Sequence, residues 1–190
     1  MTLLVLGLVL FLGTHSVRIF AEGWRTATRA RIGENAWKGA VSVLSLIGFV
    51  LLCYGYGQAP VVLWASPIWT RHLAALLLLP AFVLLVAGQL PGNRINGRLH
   101  HPMVLGVKTW ALAHLLANNT LADLLLFGSL LVWAVLSYRA ARARDAALGT
   151  VYPAGSTGAT VAAVAVGVLG YLFFAFWAHR AWIGVPPFGV

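Results

Sequence analysis

Residues 103–138 read MVLGVKTWALAHLLA, then NNT, then LADLLLFGSLLVWAVLSY: two apolar runs, Met103–Ala117 and Leu121–Tyr138, separated only by Asn118-Asn119-Thr120. Apolar runs of this length with almost no charge are helices suited to lipid, and so short a polar break makes them antiparallel neighbours. A full span takes ~20 residues; the first run has about 15, or ~22 Å of helix, so it must be surrounded by protein or enter the bilayer from one side. Working outward, Leu3–Ala21, Trp37–Gly57 and His72–Gly88 precede this pair and Ala159–Ala178 follows it. The expected fold is an all-α polytopic membrane bundle of about six transmembrane helices, the fourth one short. Composition agrees. Of 190 residues, 61% are apolar and 9% charged, with mean hydropathy +0.87, against about 25% charged in soluble domains. A water-soluble enzyme is excluded, and no length remains for a second soluble domain. The first run lacks a basic leader and ends Ile19-Phe20-Ala21-Glu22 with no small-residue cleavage pattern, so it is expected to stay as a span.

The formal charge of +9 does not point to nucleic acid, because the cations fall in particular loops. Arg25, Arg29, Arg31 and Lys38 follow the first span, Arg94 and Arg98 the third, and Arg139, Arg142 and Arg144 the fifth; the other side has Arg71 and Arg180. That bias predicts three cytoplasmic loops with both termini outside. Trp64, Trp69, Trp177 and Trp182 sit where interfacial aromatics are expected. Residues 139–158 turn charged and then rich in Gly, Ser, Thr and Pro, which predicts a mobile cytoplasmic linker between a five-span core (1–138) and a C-terminal span and tail (159–190). Ala163, Gly167 and Gly170 suit close helix packing. Cys53 is the only cysteine, which excludes intramolecular disulfides, cysteine-rich metal sites and covalent haem attachment.

Ionisable residues inside spans carry the functional information, because each costs several kcal/mol unless it is paired, faces a cavity or snorkels. His15 lies about 12 residues in from Leu3, ~18 Å, and His114 about 11 residues in from Met103, ~16 Å, on helices running in opposite directions. Two readings stand side by side: the imidazoles bond to neighbouring helices, or they meet at similar depth as metal ligands. Two histidines without a carboxylate or thiolate cluster suit haem iron better than zinc or calcium. Any such haem is non-covalent. Arg18, Lys108, Arg94 and Arg98 are then candidate partners for its propionates, and Trp110 with Ala111 would form one aromatic and one small wall beside His114. Arg94, Arg98, His100 and His101 are expected to form a polar lid over the inner mouth of the bundle, meeting either propionates or lipid phosphates. Asp123 has two readings as well: with Thr120 it matches a capping box, and it also lies close enough to His114 to orient it. His72, beside Arg71, reads as an interfacial anchor.

Several segments together resemble the NnrU family: Gly13-Thr14-His15-Ser16-Val17-Arg18, Pro91-Gly92-Asn93-Arg94-Ile95, His101-Pro102-Met103-Val104 running on through Trp110-Ala111-Leu112-Ala113-His114 to Asn118, Leu121–Gly128, and Trp182-Ile183-Gly184-Val185. The resemblance covers nearly the whole chain. It implies a role in bacterial denitrification and nitric oxide metabolism, and kinship with zeta-carotene isomerase, an integral-membrane enzyme with haem b. The positions matching that enzyme's proposed haem ligands are His15 and His114. Ala111 stands where the isomerase has a cysteine proposed for redox-dependent ligand switching, which argues against a switching mechanism. The resemblance therefore implies a haem b accessory or sensor, with nitric oxide as a small-molecule partner, or alternatively a haem-dependent isomerase of a lipophilic polyene. The His101-Pro102 pair is also similar to the start of the cofactor motif of isoprenylcysteine carboxyl methyltransferases. His100 and Val104 replace its usual Arg and Tyr, and the Glu-Glu pair further on is missing, so methyl transfer is a remote alternative.

Overall fold

The computed structural model describes residues 1–57 and 61–188. Eight helices follow in chain order: α1 (Thr2–Phe20), α2 (Glu22–Ile32), α3 (Glu34–Tyr56), α4 (Ile68–Gln89), α5 (Arg94–Leu99), α6 (Pro102–Ala117), α7 (Leu121–Leu148) and α8 (Thr157–Phe173), which continues as a π-helical segment, Phe174–Ile183. Among the described residues, five helices are long and apolar enough to cross a membrane: α1, α3, α4, α7, and α8 with its π-helical continuation. The sixth apolar helix, α6, is the short one.

Packing runs as a chain of neighbours: α3 on α1, α1 on α7, α7 on α6, α6 on α4, and α4 on α8. Short α6 therefore lies between two long helices, with Met103 and Leu112 left exposed. Where α1 meets α3, glycines let the backbones touch; a Cβ on Gly48 would sit 2.7 Å from the Phe11 nitrogen. Lipid tails are as apolar as leucine, so such close van der Waals packing replaces the hydrophobic drive of a soluble core. Gly167 of α8 backs onto Val83 of α4 in the same way. The main hydrophobic cluster joins Leu4 and Leu8 of α1, Leu52 of α3, and Ala122, Leu126 and Phe127 of α7.

The two ends of the bundle are stitched differently. At one end, Leu63 N–H donates to Asn119 O and Leu121 N–H to Val61 O, both at 2.8 Å, fastening the α3–α4 connection to the α6–α7 turn. At the other, basic end, Arg144 reaches the Arg18 carbonyl at 3.1 Å and Tyr138 the Leu99 carbonyl at 3.1 Å. Asn93 organises this end. It is buried, caps α5 by accepting from Asn96 N–H at 2.8 Å, and donates to the Ala87 carbonyl at 2.8 Å. That gives a structural reason for the Pro91–Ile95 motif.

Three expectations are corrected here. First, α7 runs on to Leu148 and stops where Gly149 takes a left-handed conformation, because the Ala- and Arg-rich stretch after Tyr138 consists of good helix formers. Second, the rest of the segment read as a mobile linker is docked: Ser156 N–H donates to Gly92 O at 2.8 Å, and Gly155, with φ +74, lies against Asn93 where a Cβ would collide. Third, the last helical run passes Ala178 and ends at Ile183. Helices α2 and α5 were not anticipated. α2 is short and rich in Arg and Thr, pairing Glu22 with Arg25 at 2.9 Å, and α5 is a single capped turn and a half, so neither stands out as an apolar run.

Candidate functional site

A cavity of about 520 Å³ lies toward the end of the bundle opposite the basic loops, bounded by α4, α6, the end of α8, its π-helical continuation and the residues after it. Its walls are mostly apolar, and many are small: Ala74, Ala75, Ala113, Ala117 and Ala175, with Phe82 and Trp110 supplying aromatic surface. The volume suits a cofactor-sized ligand. Polar groups are few. His114 and His179 both line it, with Arg71 and Asn118.

The backbone prepares both imidazoles in the same way. His114 Nδ1 lies 2.9 Å from the Trp110 carbonyl, and His179 Nδ1 lies 2.5 Å from the Val185 carbonyl. A carbonyl oxygen only accepts, so each Nδ1 carries the proton and donates it, and each neutral ring keeps its lone pair on Nε2. This is how metal-binding histidines are usually held. Phe127 stacks on His114 at 4.6 Å with 27° between the planes, and Trp110 lies 4.5 Å away on the same helix. The ring is therefore fixed in orientation as well as in tautomer.

The route by which His179 arrives is a matter of helical pitch. Tyr171, Ala175, His179 and Ile183 all line the cavity at four-residue intervals. An α turn takes fewer than four residues and a π turn more, so steps of four drift one way in α8 and back again in the π-helical segment. The change of pitch at Phe174 keeps this stripe on one side. Gly184 then turns at φ +81 and Phe188 stacks on Phe176 at 5.5 Å, which folds the tail along the cavity.

Of the residues singled out in the sequence as candidates for the haem site, the cavity takes in Trp110 and His114. His15 lies elsewhere. Its Nδ1 bonds to the Phe11 carbonyl at 2.7 Å, its ring lies 4.4 Å from Phe11, and its other neighbour is Trp133, edge-on at 6.1 Å. Trp133 and Phe127, the α7 neighbours of His15 and His114, are six residues apart, or ~9 Å along the helix. Two imidazoles on one metal need their nitrogens within about 4 Å, twice a metal–nitrogen bond of ~2 Å. The expected similarity of depth is thus corrected: His114 is one turn from the end of α6 that lies opposite the basic loops, whereas His15 is well down α1 toward the basic end, and α7 packs against both helices.

The proposed propionate partners also sit away from the cavity. Arg18 approaches Glu22 at 3.8 Å, Lys108 lies 5.9 Å over the Tyr138 ring, and Arg94 and Arg98 belong to α5 at the basic end. Asp123 settles on its capping role. It completes the box with Thr120, accepting from Thr120 N–H at 2.9 Å and Thr120 Oγ1 at 2.6 Å, and it also accepts from the Tyr56 hydroxyl. Its oxygens are occupied there, and Trp110, not Asp123, orients His114.

At the basic end, of the four residues expected to form a lid, His101 belongs to a hydrogen-bonded network and the His100 ring lies 4.1 Å from that of Tyr152, whereas among the described residues no side-chain bond of Arg94 or Arg98 joins them. His101 Nε2 and the Tyr152 hydroxyl meet the Asp145 carboxylate at 2.8 and 3.0 Å, with Arg142 at 3.3 Å. Burial, then the neighbouring Asp145 carboxylate, pushes the Tyr152 hydroxyl above the usual phenol range, so it stays protonated as the donor. Both His100 and His101 have positive φ, 54° and 45°. That is uncommon for such residues, and Pro102 at the start of α6 fixes the turn between them and the helix.

A model of the NnrU protein family matches residues 3–187. The chain belongs to the NnrU family. The match runs from α1 to the tail beyond the π-helical segment and takes in every residue lining the cavity except Phe188. Neither a curated protein nor a solved structure matches the chain. Among the described residues, no group of three or more His, Cys, Asp or Glu side chains is arranged to hold a metal ion. The sequence reading missed His179, and took Arg71 only as a loop cation and not as a residue of the cavity. The first could have been found from the four-residue stripe beginning at Tyr171, had the last helix been carried past Ala178.

Proposed function

We propose that this NnrU-family chain holds one haem b in the cavity beside His114 and serves as a haem accessory or sensor in nitric oxide metabolism. The carrying observation is His114 itself: an imidazole with its Nδ1–H committed to the Trp110 carbonyl, lining an apolar cavity of about 520 Å³. The donor set supports a macrocyclic metal over a bare ion, because zinc takes three or four protein ligands and a porphyrin brings four nitrogens of its own. When bound, haem would supply an iron able to exchange electrons and to take up nitric oxide. The chain's part is to orient one imidazole, to keep water from the ring with alanine and aromatic walls, and to offer the Arg71 guanidinium to carboxylates at the rim. Ala111 is fully buried and does not line the cavity, so nothing there supports a ligand-switching isomerase. Addition of nitric oxide to the reduced, haem-loaded protein is expected to shift its Soret band in proportion to haem content. A spectrum indifferent to nitric oxide would remove the sensing role.

The same reading takes the chain as a bacterial inner-membrane protein, as the family resemblance implies, and the cation bias between loops supports a cytoplasmic basic end. In a Cys53→Ser background, an impermeant thiol reagent added from outside should label Ser66→Cys and spare Gly149→Cys. The reverse pattern would invert the orientation.

A further inference from the structure

We infer that His179 is the second imidazole of the cavity, so that the ligand bridges α6 to the C-terminal π-helical segment and the two are joined through it. The inference rests on the haem reading above and adds to it the residue, the segment and the coordination that follow.

Four observations converge on His179. It lines the same cavity as His114, and His15 does not. Its Nδ1–H is held by the Val185 carbonyl at 2.5 Å, the counterpart of the bond between His114 and Trp110; both Nε2 lone pairs are left for a metal, and neither ring needs to change tautomer. The change from α to π pitch at Phe174 keeps His179 in line with Tyr171 and Ala175. π-helical turns are rare and are frequently located at functional sites, and here the segment delivers one side chain to the cavity. Finally, among the described residues no third metal-binding side chain joins the pair. Two protein donors would suffice for the iron of a haem, where nitric oxide could bind only after one imidazole leaves, and would leave a bare divalent ion short.

The carbonyl that holds His179 belongs to the tail. Val185 follows the left-handed turn at Gly184, and the segment beyond it, through Pro186 and Phe188, forms one side of the cavity. His179, its carbonyl partner and part of the wall are therefore one local unit, attached to the rest of the bundle mainly by the packing of α8 on α4. Ligation through His179 would tie that unit to α6.

The test compares wild-type protein with His179→Ala, His15→Ala and His179→Met, each purified with haem supplied during expression. Absorption and electron paramagnetic resonance spectra are the readout. Wild type is expected to be six-coordinate and low-spin. His179→Ala should keep at least half of its haem through His114, become high-spin, and return to the low-spin spectrum on addition of free imidazole. His179→Met should remain six-coordinate with a shifted spectrum, which also covers the case in which the alanine variant accumulates poorly. His15→Ala should match wild type. A low-spin wild type that His179→Ala and His179→Met leave unchanged overturns the assignment of His179 and leaves the haem reading standing, as does a change produced by His15→Ala alone. A wild type that takes up no haem overturns both.

Discussion

His114→Ala is expected to lose at least nine-tenths of its haem, measured as haem per chain after size-exclusion chromatography in detergent. A tenfold loss of occupancy at limiting haem corresponds to about 1.4 kcal/mol, well below what an iron–imidazole bond and its ordered ring contribute. The substitution also removes the ring that stacks on Phe127, a contact whose loss is destabilising. The ligand-free variant should therefore melt several degrees below ligand-free wild type. His114→Gln separates the two effects. It restores most of the volume without supplying an imidazole, so it should recover stability and still lack haem. Full haem content in both variants would remove His114 from the site.

Ala175→Phe should empty the same cavity while leaving both histidines in place. Ala175 lies on the four-residue stripe between Tyr171 and His179, and a benzyl group there occupies the space a flat ring would need. At least a fivefold fall in haem content is expected, with the melting temperature of the ligand-free protein unchanged or slightly raised, because the added ring fills a void and displaces no packed side chain. Haem retained at the wild-type level would place the ligand outside this cavity, since a surface-bound haem is indifferent to the volume inside. The two substitutions act on different things, one on the donor and one on the room, and agreement between them is what assigns the cavity.

The spans were legible because burial in lipid imposes one demand on every residue of a helix. The apolar runs of α1, α3, α4, α6 and α7 begin within a few residues of the expected positions, and the shortness of α6 was visible in its length. Elements that answer to local demands were not: α2 and α5 depend on ion pairs and on the Asn93 cap, which leave no hydrophobic period. Asp123 illustrates an intermediate case. The Thr120–Asp123 spacing announced a cap, whereas its bond to Tyr56, 67 positions away in sequence, did not show. For the site, counting residues gave a depth for His15 and for His114 and said nothing of which helix separates them. α7 packs against α1 and α6 both, so the pair that matched in arithmetic is split, and His179, assigned to no span at all, lines the cavity with His114. Its position depends on a change of helical pitch at Phe174, and no composition rule foretells one.

The most direct test is the absorption spectrum and haem-to-chain ratio of the wild-type protein, produced with ample haem precursor and purified in detergent. The account predicts a coloured protein with a Soret band and close to one haem b per chain, extractable by acid solvent because it is not covalently attached. A colourless protein under those conditions, which also takes up no added haem, would contradict it.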